Sequence, residues 1–302
     1  MTVTNRRRFV LVSSLGLLSF APSVEAQHPR GALVIVGGGP VGDSISARFV
    51  RLAGGAGKAR IVILPMASAD GDEAGAARVE IFRQLGAAAV SLNLTRESAA
   101  SDSVARLLAT ATGIWFPGGD QSRLAAALLG TPALDSVRAR HRAGAVVGGT
   151  SAGAAVMSDP MITGDEKRPG GSRPLRDSLG AVEGSVFMTV DRDNIVVTPG
   201  FGFLEGAIVD QHFLRRRRHN RLLSRVVERP EIVGVGVDES TALVVASDGT
   251  WEVIGESQVV VYDARKARLT RSGGVPGATG IAVHILPPGA RWNPRSGDPH
   301  LP

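Results

Sequence analysis

The chain has 302 residues, of which 43% are hydrophobic and 4% aromatic, so it is long enough for one large α/β domain or two small ones with aliphatic cores. Its formal net charge is +6, but nearly every cation is arginine, and basic residues do not alternate with aromatic ones, which argues against nucleic-acid binding. The absence of cysteine excludes disulfides, a thiol nucleophile and Cys-ligated metal sites.

The N-terminus has the pattern of a secretory signal peptide. The basic residues Arg6–Arg8 precede a short apolar stretch, Leu11–Phe20, and Val24–Ala26 provides a small-residue cleavage site. The arginines followed by Phe9 and Val10 resemble a twin-arginine export signal. The apolar stretch is too short to span a bilayer comfortably. We therefore expect cleavage of residues 1–26, leaving an exported periplasmic or extracellular protein, residues 27–302, that has no membrane anchor.

Apolar runs and helical patterns alternate through the first half of the chain. Strands are predicted at residues 32–36, 60–64, 88–92, 113–116 and 145–150, and helices at residues 45–52, 76–85, 103–109, 124–129 and 133–142. This alternation predicts a doubly wound, mostly parallel sheet flanked by helices. Active sites on such sheets lie at the carboxyl ends of the strands.

The second half of the chain is richer in strands. Residues 163–195 are rich in glycine, proline and charge, which predicts a lid or insert loop. Later apolar runs predict strands at residues 207–209, 233–237, 242–245, 251–253, 259–262 and 281–286. We interpret the last five, from Glu231 onward, as an antiparallel, β-rich extension of the same single domain, followed by an irregular tail at residues 287–302.

The glycines after the first strand offer an alternative function. Gly37, Gly39 and Gly42 have the G-x-G-x-x-G spacing of a dinucleotide-binding turn. Pro40 interrupts that turn, and no acidic residue ends the second strand to bind a ribose. A nucleotide site is therefore disfavoured, and we expect no cofactor.

The most informative segment is Gly149–Gly153, which lies between an apolar run and a run of small apolar residues. A strand, a tight turn of small residues and a helix form a nucleophile elbow, and this pattern makes Ser151 the candidate nucleophile. The N–H groups at the start of the helix would face a developing oxyanion. The spacing alone does not separate this interpretation from an ordinary strand-to-helix turn.

A serine nucleophile requires a base and an orienting acid. Five histidines have simpler interpretations, because they lie near the mature termini, on predicted helices or in a C-terminal strand: His28, His141, His219, His284 and His300. His212 follows an apolar run at another strand's carboxyl end, which we expect to share the sheet edge of Ser151, and is the candidate base. Asp238 and Glu239 end a further strand, so either could be the acid. The resulting order Ser, His, acid differs from that of α/β hydrolases.

Four motifs in this order resemble those of the cyanophycinases, which belong to a serine peptidase family that also includes the α-aspartyl dipeptidases. The motifs are Gly118–Gln121, Gly149–Ala154, Asp210–Phe213 with the arginines that follow it, and Val237–Ala242. The resemblance extends from about Gly31 to beyond Tyr262. It implies a fold similar to the class I glutamine amidotransferase domain.

The resemblance also implies roles for individual residues. Ser151 would be the nucleophile, His212 the base and Glu239 the orienting acid, with Gly119 and Ala152 forming the oxyanion hole. The remaining matches imply substrate-binding roles, for Asp120, Gln121, Asp210, Gln211, Arg216, Arg218 and Arg221. We expect Arg215 and Arg217 to be merely solvated. No metal is implied.

The implied activity is that of an exported serine exopeptidase, which hydrolyses cyanophycin to β-Asp-Arg dipeptides through an acyl-enzyme. Cyanophycin is a polyaspartate whose side-chain carboxyls each carry an arginine. The resemblance also suggests a homodimer. The long stretch between Ser151 and His212 departs from the family pattern, so peptidase action on other aspartyl or acidic peptides is an alternative. A non-catalytic exported binding protein on the same scaffold is a third reading, which a missing triad residue would favour.

Overall fold

The computed structural model describes residues 1–2, 30–166, 190–191, 195–270, 275–295 and 299–302, with the backbone alone for residues 164–166. The predicted signal peptide, apart from residues 1–2, and most of the predicted insert at residues 163–195 lie outside the described residues. Within the described ranges, we find no helix that is both long and apolar enough to span a membrane.

The first half of the chain alternates strands and helices, as predicted. The elements are β1 (Leu33–Val36), α1 (Asp43–Leu52), β2 (Arg60–Ile63), α2 (Gly71–Gln84), β3 (Ala88–Ser91), a 3₁₀ turn (Ser98–Ala100), α3 (Asp102–Leu108), β4 (Gly113–Phe116), α4 (Gln121–Leu128), α5 (Pro132–Arg142), β5 (Val146–Thr150) and α6 (Ala152–Ala155).

The second half is dominated by strands. The elements are β6 (Met161–Glu166), β7 (Ile195–Thr198), β8 (Ala207–Asp210), α7 (His219–Glu228), β9 (Val233–Val237), β10 (Thr241–Val245), β11 (Trp251–Gly255), β12 (Val259–Asp263), β13 (Arg268–Leu269), β14 (Ala278–Thr279), β15 (Ala282–Leu286) and β16 (Arg291–Trp292).

Among the described strands, eight form a larger sheet in the order β16-β11-β10-β1-β5-β4-β2-β3. The strands β1, β5, β4, β2 and β3 are parallel, whereas β10, β11 and β16 extend the sheet in an antiparallel manner. A smaller sheet has the order β15-β12-β9-β8, with β8 and β9 parallel. The predicted doubly wound α/β architecture and its β-rich extension are confirmed.

The larger sheet is covered on both faces. On one face α1 and α2 bury Phe49 and Phe82 against Trp115 of β4, with ring centroids 4.9–5.6 Å apart. Each such side chain stabilises the fold by about 1.5–3 kcal/mol through burial. On the other face lie α3, α4, α5 and the smaller sheet, so the main core includes valines of β9 and β12 beside Ile35 and Leu243.

The strand β9 shows why the smaller sheet packs closely on both of its faces. Its sequence alternates valine and glycine, and Val233, Val235 and Val237 all point into the main core. A Cβ on Gly236 would lie 2.3 Å from the Phe213 ring, so glycine is needed for this approach. The carboxyl end of β9 lies against the end of β1, since a Cβ on Gly37 would be 2.3 Å from the Val237 carbonyl oxygen.

Three expectations need correction. The strand before His212, β8, belongs to the smaller sheet and not to the sheet of Ser151. The tail predicted to be irregular contains β16, because the Trp292 ring packs 5.5 Å from that of Trp251. The described ends of the predicted insert pair as the antiparallel strands β6 and β7, where a loop was expected.

Candidate active site

Ser151 lies in the tight turn between β5 and α6. Its φ of 54° is unusual for a residue other than glycine, and such strain is typical of functional sites. A Cβ on Gly149 would lie 2.5 Å from the Gly153 carbonyl oxygen, so these glycines allow strand and helix to approach closely. The elbow predicted from the sequence is therefore present.

His212 lies between Ser151 and Glu239. Its Nε2 is 2.8 Å from Ser151 Oγ, and its Nδ1 is 2.6 Å from Glu239 Oε1. With the proton on Nδ1, the ring donates to the carboxylate and can accept the serine proton through Nε2. The structure thus brings together the three residues for which the sequence predicted catalytic roles.

The electrostatics around His212 favour its neutral form. Burial lowers its pKa below the ordinary histidine value and outweighs the opposing effect of the hydrogen bond to Glu239. The positive charge of Arg216 lowers the pKa further. A neutral imidazole at neutral pH is what a general base requires.

Three successive backbone carbonyls at the end of β1 position the backbone at or next to each residue of the triad. They belong to Val36, Gly37 and Gly38 and accept from the N–H groups of Ser151 (3.0 Å), His212 (2.6 Å) and Ser240 (2.9 Å), respectively. Gly38 has a φ of 111°, and a Cβ there would lie 2.2–2.7 Å from the His212 ring. Gly37, one of the glycines with dinucleotide-like spacing, and its neighbour Gly38 therefore hold His212 in position. The signal in the sequence is this glycine run at the carboxyl end of a strand, the edge at which active sites on such sheets lie.

The turn that contains Gly118 and Gly119 lies against Ser151. A Cβ on Gly118 would be 3.4 Å from Ser151 Cβ, and Gly119 has a φ of 137° with no space for a side chain beside Ala67. In the described part of the chain, neither Gly119 nor Ala152 donates its N–H group to a backbone carbonyl outside the helices and strands. Their N–H groups can therefore serve as the predicted oxyanion hole.

Two of the predicted substrate-binding arginines are engaged inside the protein. Arg221 is 2% exposed and forks onto Asp210, with Nε 2.9 Å from Oδ2, and its Nη1 is 3.2 Å from the Thr163 carbonyl oxygen. Arg218 donates to the Gln211 carbonyl at 2.7 Å and also to its side-chain oxygen. Burial lowers the pKa of Arg218 to about 10. The two arginines therefore stabilise the segment Asp210–Gln211 beside the site through contacts inside the protein.

Arg216 differs from Arg218 and Arg221 in having no hydrogen bond or ion pair from its side chain within the described residues. It is half-buried and near enough to His212 to lower the pKa of that histidine. An arginine without an acidic partner beside the triad suits a substrate carboxylate. Arg215 and Arg217 are exposed, as expected.

The arginine run at residues 215–218 does not belong to the helix predicted around His219, which corrects the sequence interpretation. Residues 213–218 form a turn, and α7 begins at His219. Positive φ values at His212 (49°) and Arg217 (52°) stop helical propagation there.

Asp120 and Gln121, both predicted to bind substrate, have structural partners. Asp120 caps α4, because its Oδ1 accepts the Ser122 N–H at 2.7 Å. Gln121 is buried and donates through Nε2 to the Ile162 carbonyl at 3.0 Å. Gln121 therefore ties α4 to β6 near the nucleophile.

Three of the remaining described histidines have local partners for their side chains, and His300 pairs with Arg291 through its backbone. His141 Nε2 is 2.8 Å from the Gly31 carbonyl oxygen, His219 Nδ1 is 2.6 Å from the Tyr262 hydroxyl, and the His284 ring packs on Trp292. Across the described ranges, no cluster of three or more potential metal ligands is found.

A cavity of about 570 Å³ lies around the amino end of β1, near Leu33, Val233 and Trp251. It shares no residue with the triad, which lies at the carboxyl end of β1. The chemistry is therefore assigned to the triad region.

A hydroxyl hydrogen-bonded to a carboxylate-oriented imidazole, beside two backbone donors on an α/β sheet, defines a serine hydrolase. The sequence profile of peptidase family S51 matches residues 33–253 of the chain. The chain belongs to this family and is a serine-type peptidase.

Similar proteins agree with this assignment. Cyanophycinase from Trichormus variabilis is 33% identical over 276 residues, which cover 88% of this chain and 86% of that protein. Cyanophycinase from Geminocystis herdmanii is 34% identical over 284 residues, which cover 90% and 97%. A solved peptidase from an acI-B1 Actinobacterium has the same fold, with a TM-score of 0.59 at 22% identity over 86% of this chain and 98% of its own.

Proposed function

We propose that this chain hydrolyses cyanophycin and releases β-Asp-Arg dipeptides. The proposal is supported by relatives named cyanophycinase that match about nine-tenths of the chain. The observation that carries it in the structure is the Ser151–His212–Glu239 triad beside Arg216. In this proposal the guanidinium receives a carboxylate of the substrate while Ser151 faces the backbone peptide bond.

The proposed reaction has two stages. Ser151 Oγ attacks the carbonyl carbon as His212 Nε2 takes its proton, and the N–H groups of Gly119 and Ala152 stabilise the oxyanion. His212 then gives the proton to the departing amine, which leaves an acyl-enzyme on Ser151. A water molecule, deprotonated by His212, attacks the acyl carbonyl and releases the dipeptide.

The test is incubation of purified protein with cyanophycin, followed by mass analysis of the soluble products. We expect β-Asp-Arg as the main product, and none from Ser151→Ala protein that retains the wild-type circular dichroism spectrum. Free arginine or long fragments as main products would contradict the proposed cleavage. Rapid hydrolysis of aspartyl dipeptides with no action on the polymer would instead support the alternative, a peptidase of short acidic peptides.

We also propose that the protein is exported and homodimeric. Export is supported by the sequence pattern of residues 1–26, and a dimer by the family resemblance. Fractionation of cells that express the chain, compared with a variant carrying Arg6–Arg8 as lysines, tests export. Light scattering of the purified protein tests the dimer, and a monomeric mass would contradict it.

A further inference from the structure

Asp238 precedes the orienting acid Glu239 and has a separate set of contacts. Its side chain is 9% exposed and makes no hydrogen bond to His212 in the described structure. Asp238 Oδ1 accepts the N–H groups of Leu214 and Arg215, both at 3.0 Å, while Oδ2 accepts the Ser257 hydroxyl at 2.8 Å. Hydrogen bonds to an ionised acceptor are stronger than neutral ones.

The two amides belong to the turn at residues 213–218, which carries Arg216. Three backbone hydrogen bonds stabilise this turn internally. They are donated by the N–H groups of Arg216 to the His212 carbonyl (2.9 Å), of Arg217 to the Leu214 carbonyl (3.0 Å) and of Arg218 to the Phe213 carbonyl (3.0 Å). Arg217 has a left-handed backbone conformation with a φ of 52°, which is energetically unfavourable for a residue other than glycine. The turn therefore needs further interactions to keep this conformation. The carboxylate of Asp238, which is not part of the turn, stabilises its first half by accepting the N–H groups of Leu214 and Arg215.

We propose that Asp238 is a positioning residue for substrate recognition, because it fixes the turn that keeps Arg216 beside His212. Asp238 and Glu239 then divide two tasks at one strand end: Glu239 orients the base, and Asp238 orients the recognition turn. The link to recognition rests on the proposed function, in which Arg216 meets a substrate carboxylate. The anchoring of the turn does not depend on that function.

The signal for Asp238 was present in the sequence, where Asp238 and Glu239 were both candidates for the orienting acid. The structure gives each carboxylate its own partners. A variant at Asp238 should therefore affect a different kinetic step from a variant at Glu239.

The first experiment measures amide hydrogen exchange at Leu214 and Arg215 in the full chain. We expect exchange about tenfold faster in Asp238→Ala, because roughly that factor corresponds to losing one hydrogen bond of ordinary net strength. Asp238→Asn retains an acceptor oxygen without the charge and should be intermediate. Ser257→Ala is the matched control, since it leaves Oδ1 and both amides intact. Unchanged exchange in Asp238→Ala would overturn the proposal, and Asp238→Asn decides if the alanine variant does not fold.

The second experiment separates recognition from chemistry. For cyanophycin we expect KM to rise about tenfold in Asp238→Ala with kcat within about threefold, as expected for lost binding. At a pH well above the pKa of His212, the rate at which a small uncharged organophosphorus reagent labels Ser151 should stay at the wild-type value, because this reagent does not bind Arg216 and the imidazole is already neutral. Labelling that slows as much as kcat/KM would show that Asp238 acts through the triad and would overturn the proposal. If wild-type protein does not cleave the polymer, the proposed function fails, while amide exchange still decides whether Asp238 holds the turn.

Discussion

The two sheets supply different halves of the active site. The larger sheet provides Ser151, the proposed nucleophile, through the local arrangement of strand, turn and helix around it. The smaller sheet provides His212 and Glu239 from the ends of β8 and β9, so both depend on how this sheet is placed. The tight turn around Ser151 is therefore encoded within five consecutive residues, whereas the contacts that His212 and Glu239 make at the site depend on packing between the sheets.

The turn at the end of β1 connects the two halves. Its carbonyls accept hydrogen bonds from the backbone on either side of the site, at Ser151, His212 and Ser240. The geometry of the triad is thus fixed by backbone bonds to one short segment, and the larger and smaller sheets cannot shift independently without breaking them.

The largest effect should come from removing either half of the triad. Ser151→Ala and His212→Ala should each lower kcat/KM by about 10⁴-fold or more, and the double variant should be no worse than the more impaired single variant, because the residues act as a unit. Steady-state kinetics on the three proteins, with circular dichroism to confirm folding, measures this. Losses that multiply in the double variant would mean that the two sheets contribute independently.

A smaller loss of activity should follow when His212 is retained and only the charge of Glu239 is removed. Glu239→Gln should lower kcat by about 10²–10⁴-fold, because the imidazolium formed during attack loses its carboxylate partner. Glu256, which is exposed on the nearby β11–β12 turn, supplies the control. Glu256→Gln should retain wild-type kcat, and a comparable loss in both variants would refute a specific role for Glu239.

The connection between the sheets can be broken at a single glycine. Gly38→Ala should lower kcat/KM by about 10²-fold, because the added methyl must displace the His212 ring and a shift near 1 Å has about that effect. Gly42→Ala is the matched control in the same glycine-rich segment, where a Cβ meets nothing within 4 Å and φ is −62°. Similar kinetics for the two variants would show that the turn does not position His212.

What the sequence could predict follows the same division between local and non-local structure. The alternating elements and the elbow at Gly149–Gly153 were predictable because short-range spacing determines them. The assignment of β8 to a second sheet was not, because an apolar run does not specify its pairing partner. The arginine run looked helical, yet the positive φ at His212, fixed by its bond to Gly37, redirects the chain.

The roles of the charged residues were the hardest to predict. The resemblance marked Arg216, Arg218 and Arg221 alike, but a sequence cannot show that Asp210 and Gln211 occupy two of the three. Charge and hydrogen-bonding capacity are properties of residue types, while availability for a ligand depends on which partners the fold brings near. Arg216 is distinguished only by the absence of such a partner in the described structure.

The smallest expected effect concerns the charge of Arg216 and appears in the pH dependence of Ser151 labelling. His212 acts as a base only when neutral, so activity falls as pH drops through its pKa. The charge of Arg216 lowers that pKa, and Arg216→Gln should therefore raise it and move the acid limb of Ser151 labelling by a neutral reagent to higher pH. Arg217→Gln, which removes an exposed charge of the same turn, should leave the limb in place. An acid limb that stays fixed, or moves to lower pH, in Arg216→Gln would mean that Arg216 does not act on the catalytic histidine.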